Sequence, residues 1–420
     1  MKGLMILCLL LSGQLLSSEI NPQRLVVKIK TGEQNQALTE GLRHLFGQYY
    51  VLETQDVDTD FHRLNQNDWV DYVDYDYRSS QTPVAKAQIV DLDKALNDPR
   101  SRSQWHLAPS ARHGVSVIEA YENQLSVPQQ EIIVAVVDTG VDYKHADLKE
   151  QMWVNSGEIA GNGIDDDGNG YIDDVHGIDT LGRDSQGKAT GDPMDTHGHG
   201  THVSGIIGAK QNNNLGVAGV AVNVKIMAIR TVPNRGDETD VDVAESFIYA
   251  AKMGARVINC SFGKRVNEGG MVVSEAIDFI AREYGVLVVA ASGNESTNID
   301  RSMRYPASFQ NESLMVVAST QRRGRMSGFS NYGIKNVDIA APGSSILSTV
   351  RGGRYGNMSG TSMASPVAAG IAAETLANAP EMTPLELKKH LMDNVVPVRA
   401  FSGRVVSGGR IDLKTSLENL

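Results

Sequence analysis

The segment Ile132-Ile133-Val134-Ala135-Val136-Val137-Asp138-Thr139-Gly140 is a run of apolar, largely β-branched residues that ends in an acid and a Thr-Gly pair. A run without polar alternation is typical of a strand buried on both faces of a parallel sheet. Further strand-like runs follow at Val224–Ile229, Arg256–Ser261, Val286–Ala291 and Leu314–Ser319. Helical patterns separate them, at Thr201–Gly208, Val241–Met253, Val273–Tyr284 and Met363–Ala377. The alternation predicts an α/β fold in which helices cover both faces of a parallel central sheet.

Polar residues follow several of these strands directly. Asp138 ends the first strand, Asn294 comes shortly after the run that ends at Ala291, and Ser261 closes the run that begins at Arg256. Ligands of open parallel sheets bind beyond the carboxyl ends of the strands. These residues are therefore candidates for a functional site.

An acid, a histidine and a serine stand in distinctive segments, in that order along the chain. Asp138 is followed by His199 in His197-Gly198-His199-Gly200-Thr201-His202, and then by Ser362 in Gly360-Thr361-Ser362-Met363-Ala364-Ser365-Pro366. A serine hydroxyl becomes a good nucleophile when a neighbouring base accepts its proton. The start of an Ala-rich helix suits Ser362, because free N–H groups there favour developing negative charge. Pro366 is expected in the first turn of that helix.

The order Asp…His…Ser separates this constellation from other serine-hydrolase arrangements. All three flanks resemble the motifs of the subtilisin-like serine proteases (subtilase family, peptidase S8) almost residue for residue. The resemblance implies a serine endopeptidase that cleaves polypeptides through an acyl-enzyme. It also implies that Asp138 orients His199, that His199 is the general base and that Ser362 is the nucleophile.

The same resemblance assigns roles to two further segments. Val288-Val289-Ala290-Ala291-Ser292-Gly293-Asn294 is similar to the strand that carries the family's oxyanion asparagine, so Asn294 would donate its side-chain amide to the oxyanion. Ser261, Phe262 and Gly263 resemble the extended segment that binds the substrate backbone.

Two functions of other classes remain open from the residues alone. The spacing His-x-His-x-x-His, formed by His197, His199 and His202 with Asp138, could hold zinc in a metal-dependent hydrolase. An inactive, calcium-binding surface module could also keep the fold without the activity. Labelling of Ser362 by a fluorophosphonate would separate both from the protease.

The N-terminal part of the chain has a different organisation. Met1-Lys2, the apolar stretch Leu4–Leu16 and Ser17-Ser18 predict a secretory signal peptide over residues 1–18. Residues 21–80 carry a strand pattern at Arg24–Lys30, a helical pattern at Ala37–Phe46 and a strand pattern at Tyr49–Glu53. An alternation of acidic and apolar residues covers Asp68–Tyr77.

The block 21–80 resembles the inhibitor I9-like propeptide of subtilases. The resemblance implies a small α+β domain that acts as the enzyme's own folding template and inhibitor, in a zymogen that processes itself. Residues 81–94 would then be a linker with the processing site, and residues 95–420 the catalytic domain. We expect a monomer.

One calcium site is predicted from a loop with metal-ligand spacing. Asp165, Asp167, Asn169 and Asp173 occupy positions 1, 3, 5 and 9 of an EF-hand-like loop. His176 stands where an EF-hand has its bidentate glutamate, so Asp174 is the proposed substitute.

A second calcium site is implied by the family resemblance alone. The segment Asn212–Val220 resembles the loop around the family's tight calcium site. The implied ligands are Asp98, Asp147, Asn213 and the main-chain carbonyls of Gln211, Leu215 and Val217.

Composition limits the compartment and the partners. The chain has 420 residues and a net charge of −11, which disfavours nucleic acid and anionic membranes as partners. Cys8 lies in the predicted signal peptide and Cys260 has no second cysteine, so no disulfide is expected in the mature chain. A leader and acidic surface predict a secreted enzyme without a membrane span, with the periplasm or cell surface as alternatives. Stability would then depend on calcium.

Overall fold

The computed structural model describes residues 19–34, 37, 41–78, 96–185, 187–265 and 271–420. The predicted signal peptide (1–18) and linker (81–94) lie outside these residues.

A ten-stranded sheet forms the centre of the larger part. Its strands are β5 Ile132–Asp138, β6 Gly177–Arg183, β7 Ala189–Thr190, β8 Val224–Arg230, β9 Val257–Cys260, β10 Leu287–Ala291, β11 Leu314–Thr320, β12 Ile339–Pro342, β15 Val396–Pro397 and β16 Gly409–Arg410. They lie in the order β15-β16-β12-β11-β10-β9-β5-β8-β6-β7. Pairing is parallel from β16 to β6, and only the outermost pairs, β15–β16 and β6–β7, are antiparallel. The strands predicted from Ile132, Val224, Arg256, Val286 and Leu314 are each confirmed to within one residue at either end.

Helices cover both faces of this sheet. The helices are α2 Val117–Glu122, α3 His199–Gly208, α4 Asp240–Lys252, α5 Val272–Tyr284, α6 Thr361–Asn378, α7 Pro384–Asp393 and α8 Leu413–Glu418. One hydrophobic core joins α3 and α6 to one face, and a second core joins α4 and α5 to the other. Strand β5 serves both, because Val134 and Val136 point to the first core and Ala135 and Val137 to the second. The predicted α/β class is therefore confirmed.

A hairpin, β13 Ile346–Val350 with β14 Arg354–Met358, packs beside α3. Among the described residues, no helix combines the length and the apolar character needed to cross a bilayer.

The N-terminal residues form a separate antiparallel sheet. Its strands are β1 Glu19–Ile29, β2 Arg43–Phe46, β3 Tyr49–Glu53 and β4 Val70–Arg78, in the order β2-β3-β1-β4, and α1 Val57–Asn65 packs on it. Leu25, Val27 and Ile29 of β1 face α1, whereas Val26 belongs to the core that contains α4 and α5. One face of this sheet is thus docked on the larger part.

The predicted helix over Ala37–Phe46 is wrong at its C-terminal end. Residues Arg43–Phe46 form β2, which pairs with β3 in register Arg43↔Val51. Helix α1 lies later in the sequence, at Val57–Asn65, and its N-cap residue is Asp56, whose side chain accepts a hydrogen bond from the Thr59 N–H. Pairing with β3 therefore decides the structure of this short segment, which its own side-chain pattern did not predict.

Ion pairs hold the N-terminal sheet on helices α4 and α5. The Arg24 guanidinium lies 2.9 and 3.1 Å from the two carboxylate oxygens of Asp242 and 3.2 Å from Asp76. Arg43 contacts Glu245 at 3.3 and 3.4 Å, and Lys28 contacts Glu275 at 3.0 and 3.1 Å. Arg24 is 6% exposed, so this contact is desolvated as well as bidentate.

We expect Arg24→Met to loosen this docking. Arg183 still contacts Asp242 in this variant, but the buried Asp76 carboxylate loses the charge of Arg24, and breaking a buried ion pair costs about 3 kcal/mol. In an inactive Ser362→Ala background, cleavage of the N-terminal sheet by added trypsin should then accelerate about a hundredfold, because cleavage follows the population of the undocked form.

Arg63→Met is the matched control, because Arg63 and Asp60 form an exposed pair whose side chains are 40% and 24% accessible. Such pairs contribute little. Equal trypsin rates for the two variants would contradict the proposed strength of the Arg24 contact.

Candidate active site

Asp138 is a buried carboxylate at the carboxyl end of β5. Its Oδ1 accepts hydrogen bonds from the Thr139 N–H and from Nδ1 of His199, both at 2.7 Å. Gly140 turns the chain here with φ +93°, and a Cβ at this position would lie 2.4 Å from the Pro193 carbonyl oxygen. The turn thus requires glycine at position 140. Because the carboxylate can only accept, the proton of His199 lies on Nδ1 and Nε2 is free to act as a base.

His199 is the first residue of α3, and Asp195 holds the loop before it. Asp195 Oδ1 accepts from the N–H groups of His197 and Gly198, both at 2.7 Å. Its Oδ2 accepts from the N–H of Thr201 at 3.0 Å and from its hydroxyl at 2.5 Å. Asp195 therefore binds two main-chain donors of the loop and one in the first turn of α3, which fixes the position of His199 between them.

Sequence reasoning missed Asp195. The sequence has an acid shortly before a predicted helix, but Asp195 lies three residues before the N-cap position, Gly198, so it does not match the capping pattern. Gly200 also matters here, since a Cβ on it would lie 2.1 Å from the Gly140 carbonyl oxygen. Helix α3 can approach the end of β5 only with glycine at this position.

Two opposing effects set the pKa of His199. Burial disfavours the imidazolium and alone would lower the pKa. The charge of Asp138, its hydrogen bond and the charge of Asp195 outweigh this, so the pKa is raised above its ordinary value. The imidazolium that forms when His199 takes a proton is thus stabilised.

The other two histidines do not form a metal site with His199. His202 Nε2 lies 3.0 Å from the carbonyl oxygens of Ile346 and Gly356, and burial lowers its pKa to about 3. The rings of His197 and His199 are 6.4 Å apart. Nδ1 of His199 is already engaged by Asp138, so the nitrogens do not converge as a zinc site requires.

Ser362 is the second residue of α6, where main-chain N–H groups have no partner within the helix. Pro366 was predicted in the first turn of this helix, but it lies inside the helix instead. Proline has no N–H to donate to the carbonyl four residues earlier, which is that of Ser362. The hydroxyl of Ser261 donates to this carbonyl instead, at 2.8 Å. A helix-breaking residue is thus accommodated by a contact from the neighbouring strand.

Asn294 is oriented by Thr361. Its Oδ1 accepts from the Thr361 N–H at 2.8 Å and from the Thr361 hydroxyl at 3.0 Å. The amide Nδ2 therefore faces the other way, as a donor. A Cβ on Gly360 would lie 3.5 Å from the Ser362 nitrogen and 3.7 Å from Asn294 Nδ2, so both donors border the same space.

The segment Ser261–Gly263 continues from β9 past the start of α6. Ser261 is fixed between the Ser362 carbonyl and the side-chain amide of Asn259, at 2.8 and 2.9 Å. Phe262 is 7% exposed and packs in the core below. A Cβ on Gly263 would lie 3.0 Å from the Tyr305 carbonyl oxygen. The structure thus places this segment beside the candidate nucleophile.

The first predicted calcium loop brings Asp165 and Asp167 together with a residue that sequence reasoning missed. Glu158, Asp165 and Asp167 each offer a carboxylate oxygen, all within 4.8 Å of one another. Asp165 Oδ1 is buried and has no hydrogen-bond partner among the described residues. Glu158 lies outside the EF-hand-like spacing, so no pattern indicated it.

The other residues predicted for this loop lie around that cluster. Asn169 donates to Asp167 and Asp174 at 3.1 and 3.0 Å, and Asp174 also accepts from the Tyr249 hydroxyl at 2.6 Å. Asp173 accepts instead from the N–H groups of Gly161, Asn162 and Gly163.

The residues of the second predicted calcium site are also brought together. Asp98 accepts from the N–H groups of Asn212 and Asn213, and Asp147 accepts from the Asn213 amide at 2.8 Å and the Val217 N–H at 2.9 Å. Asp98 and Asp147 are 2% and 0% exposed. Burial, and to a lesser extent the charge of Asp147, raises the pKa of Asp98. Gln211 and Leu215 lie in the same loop.

Comparison with known proteins agrees with this architecture. Residues 129–410 match the Subtilase family (Peptidase_S8). That match covers more than half of the chain, so the chain belongs to the subtilase family, as the three motifs predicted.

Two curated relatives show the extent of the similarity. Subtilisin-like protease 1 of Plasmodium berghei (strain Anka) is 34% identical over 304 residues, which are 68% of this chain and 49% of the relative. The Thermophilic serine proteinase of Bacillus sp. (strain AK1) is 40% identical over 240 residues, which are 57% of this chain and 51% of the relative. The chain thus spans about half the length of these relatives.

Among solved structures, fervidolysin from Fervidobacterium pennivorans, a keratinolytic enzyme related to subtilisin, matches with a TM-score of 0.73. The match covers 95% of this chain and 61% of fervidolysin at 24% identity. The predicted subtilisin-like fold is confirmed by this likeness, which at that identity concerns the fold alone.

Asp195→Asn tests the role of Asp195 as a positioning residue. An amide cannot accept from all the donors that Asp195 satisfies, and each buried donor left unpaired costs about 1 to 3 kcal/mol. We expect kcat/KM for a peptide substrate to fall about tenfold or more on that basis. The acid limb of the pH profile should also move to lower pH, because the charge of Asp195 raises the pKa of His199.

Asp192→Asn, an exposed acid in the same loop, is the control and should leave the acid limb in place. An unchanged acid limb in Asp195→Asn would contradict the electrostatic role.

Proposed function

We propose that this chain is a secreted, calcium-stabilised serine endopeptidase that is made as a self-processing zymogen. The observation that carries the proposal is the 2.7 Å hydrogen bond from His199 Nδ1 to Asp138, at the sheet edge where α6 presents Ser362. Family membership supports the reaction class. The substrates would be polypeptides, the chain's own N-terminal domain would be its first partner, and the enzyme would act as a monomer.

In the first step, His199 Nε2 takes the proton of the Ser362 hydroxyl while Oγ attacks the carbonyl carbon of the scissile peptide bond. The carbonyl π electrons move to oxygen and form a tetrahedral oxyanion. The Ser362 N–H and Asn294 Nδ2 donate to this oxygen, and the N terminus of α6 favours its charge. Asp138 keeps the imidazolium oriented throughout.

In the second step, the oxyanion collapses and the C–N bond breaks. His199 gives its proton to the leaving amine, so an acyl ester on Ser362 and a new N terminus result. A water molecule then repeats the attack with His199 as base, which releases the carboxylic acid and restores the Ser362 hydroxyl. Atoms and charges balance without a cofactor in the reaction.

The docked N-terminal sheet supports the zymogen proposal. It covers α4 and α5 through three ion-paired contacts, and its last strand, β4, reaches α4, where Asp76 accepts from the Val241 N–H at 3.3 Å. The domain of residues 21–80 would template folding of the parallel sheet, whose non-local contacts form slowly. Cleavage within 81–94 would follow export directed by residues 1–18.

Calcium is the proposed structural ion. The loop residues Asp165, Asp167, Asn169, Asp173 and Asp174, with Glu158, would hold one ion. The set Asp98, Asp147, Asn213 and the carbonyls of Gln211, Leu215 and Val217 would hold another. Two observations fit a hard cation with oxygen ligands. The buried Asp165 Oδ1 has no partner among the described residues, and the carboxylates of Asp98 and Asp147 are both buried. Bound Ca²⁺ would supply positive charge that offsets these carboxylates.

Fluorophosphonate labelling tests the protease reaction. The full-length wild-type chain, expressed with its N-terminal domain, should become labelled at Ser362, hydrolyse casein and shorten at its N terminus. Ser362→Ala should do none of these and should accumulate at the length that lacks only residues 1–18.

Ser365→Ala is the matched control, because Ser365 lies in the same helix but is 0% exposed and bonded to Asn259. It should still be labelled. Hydrolysis that persists in Ser362→Ala and disappears on zinc removal would overturn the proposal in favour of a metal-dependent hydrolase. Folded, N-terminally trimmed protein without any hydrolysis would favour an inactive module.

Chelation tests the structural role of calcium. A ligand that binds only the folded state adds about 2.7 kcal/mol at a hundredfold excess over its dissociation constant. In the Ser362→Ala chain, which cannot digest itself, a chelator should therefore lower Tm, and added Ca²⁺ should restore it.

Asp165→Asn and Asp98→Asn should each reduce this shift, because each removes a charge from one site. Glu122→Gln, an exposed acid at the end of α2, should leave the shift unchanged. An identical melting curve with and without chelator would contradict both sites.

A further inference from the structure

The loop before α4 and the first residue of α4 carry three buried acids beside the proposed substrate-binding segment, Ser261–Gly263. Asp237, Glu238 and Asp240 are 2%, 2% and 5% exposed. Lys264, one residue beyond Gly263, places its ammonium 2.6 Å from Asp240 Oδ1 and is itself 4% exposed. The acids are visible in the sequence, but only the folded chain brings Lys264 and the substrate segment against them.

Two carboxylate oxygens in this group lack a hydrogen-bond partner in the part of the chain that the structure describes. Glu238 Oε2 and Asp240 Oδ2 are buried and have no hydrogen-bond partner among the described residues. Burial, and then the charge of Asp237, raises the pKa of Glu238 to about 8. Buried acceptors in native proteins normally have partners, so these two indicate a donor that arrives from outside. The partnerless oxygens belong to two carboxyl groups, and the described contacts place the Lys264 ammonium against Asp240, which favours a further cationic donor for this pair.

The N-terminal domain covers this group in the present structure. Asp76 of β4 accepts from the Val241 N–H, which follows Asp240 directly, and Arg24 binds Asp242 one residue further on. Removal of that domain, as proposed above, would take away Arg24 and Asp76 and expose the acidic group beside Ser261–Gly263.

Strand geometry gives the substrate position that reaches the group. A substrate backbone paired with Ser261–Gly263 would place its residue before the scissile bond beside Ser261, which contacts Ser362. Each extended residue advances about 3.3 Å and alternates faces. Lys264 lies three residues after Ser261. The substrate residue opposite Lys264 is therefore the fourth before the scissile bond.

We propose that Glu238 and Asp240 form an acidic pocket that selects a lysine or arginine side chain at the fourth residue before the scissile bond. The cation would bind the two partnerless oxygens, and Lys264 would limit its affinity by competing for Asp240. This inference rests on the proposed protease function, because it concerns the substrate of that same site.

The test uses the matured enzyme and three quenched peptides that differ only at this residue, which is arginine, norleucine or glutamate. Norleucine keeps an unbranched apolar stem without the charge. The wild-type enzyme should prefer arginine over norleucine about tenfold in kcat/KM, because one charge-assisted hydrogen bond contributes about that much. It should cleave the glutamate peptide slowest. Assays at pH 9 keep Glu238 ionised.

Two variants should move the arginine-to-norleucine ratio in opposite directions. Glu238→Gln should reduce it towards one, whereas Lys264→Gln should increase it, because the competing ammonium is gone. A merely structural role would lower both rates together and leave the ratio unchanged. Each ratio is measured within one enzyme, so the folded fraction cancels. Glu283→Gln, an exposed acid on α5, should keep the wild-type ratio.

Equal rates for all three peptides in the wild-type enzyme would overturn the acidic pocket while the protease function stands. If the arginine-to-norleucine ratio does not fall in Glu238→Gln and rise in Lys264→Gln, the assignment to Glu238 and Lys264 would be overturned. Absence of any peptide hydrolysis, together with absent fluorophosphonate labelling of Ser362, would overturn the proposed function itself and this inference with it.

Discussion

The hydrogen bond between His199 Nδ1 and Asp138 Oδ1 is the interaction on which the arrangement of the site depends. It fixes the tautomer of the imidazole, and it needs a carboxylate held at the end of a buried strand. Gly140 and Gly200 permit the close approach of α3 to that strand end, and Asp195 holds the loop before the helix and the Thr201 N–H in its first turn. A substitution at any of these positions acts on the chemistry through the position of one ring.

Main-chain polar groups at the start of α6 also need hydrogen-bond partners, and they find them in a different way. Pro366 removes a helical hydrogen bond from the Ser362 carbonyl, and Ser261 replaces it from the adjacent strand. Thr361 turns the Asn294 amide so that its N–H₂ group is available. Neighbouring strands and helices thus form hydrogen bonds with one another at this edge. They can do so because the carboxyl ends of parallel strands lie side by side there.

Helix α4 joins the N-terminal domain to the acidic pocket proposed for the substrate. Asp242 and Glu245 bind Arg24 and Arg43 of the docked sheet, while Asp240 faces Lys264. Removal of the N-terminal domain would therefore both uncover the cleft and leave the helix more negative. The described part of the chain has one cysteine, Cys260, which is buried and free, so these residues form no disulfide with one another.

The sequence by itself determined the alternation of strands and helices, the parallel sheet and the family, because buried strands, tight turns and reactive segments are local patterns. It did not determine β2, Asp195, Glu158 or the position of Pro366 inside α6. Strand β2 exists because β3 lies beside it, and Pro366 is tolerated because Ser261 reaches the vacated carbonyl. Asp195 and Glu158 act through main-chain donors that only the folded loops bring within hydrogen-bond distance. Contacts between residues far apart in the chain decide these features, since hydrogen bonding requires proximity that local pattern does not encode.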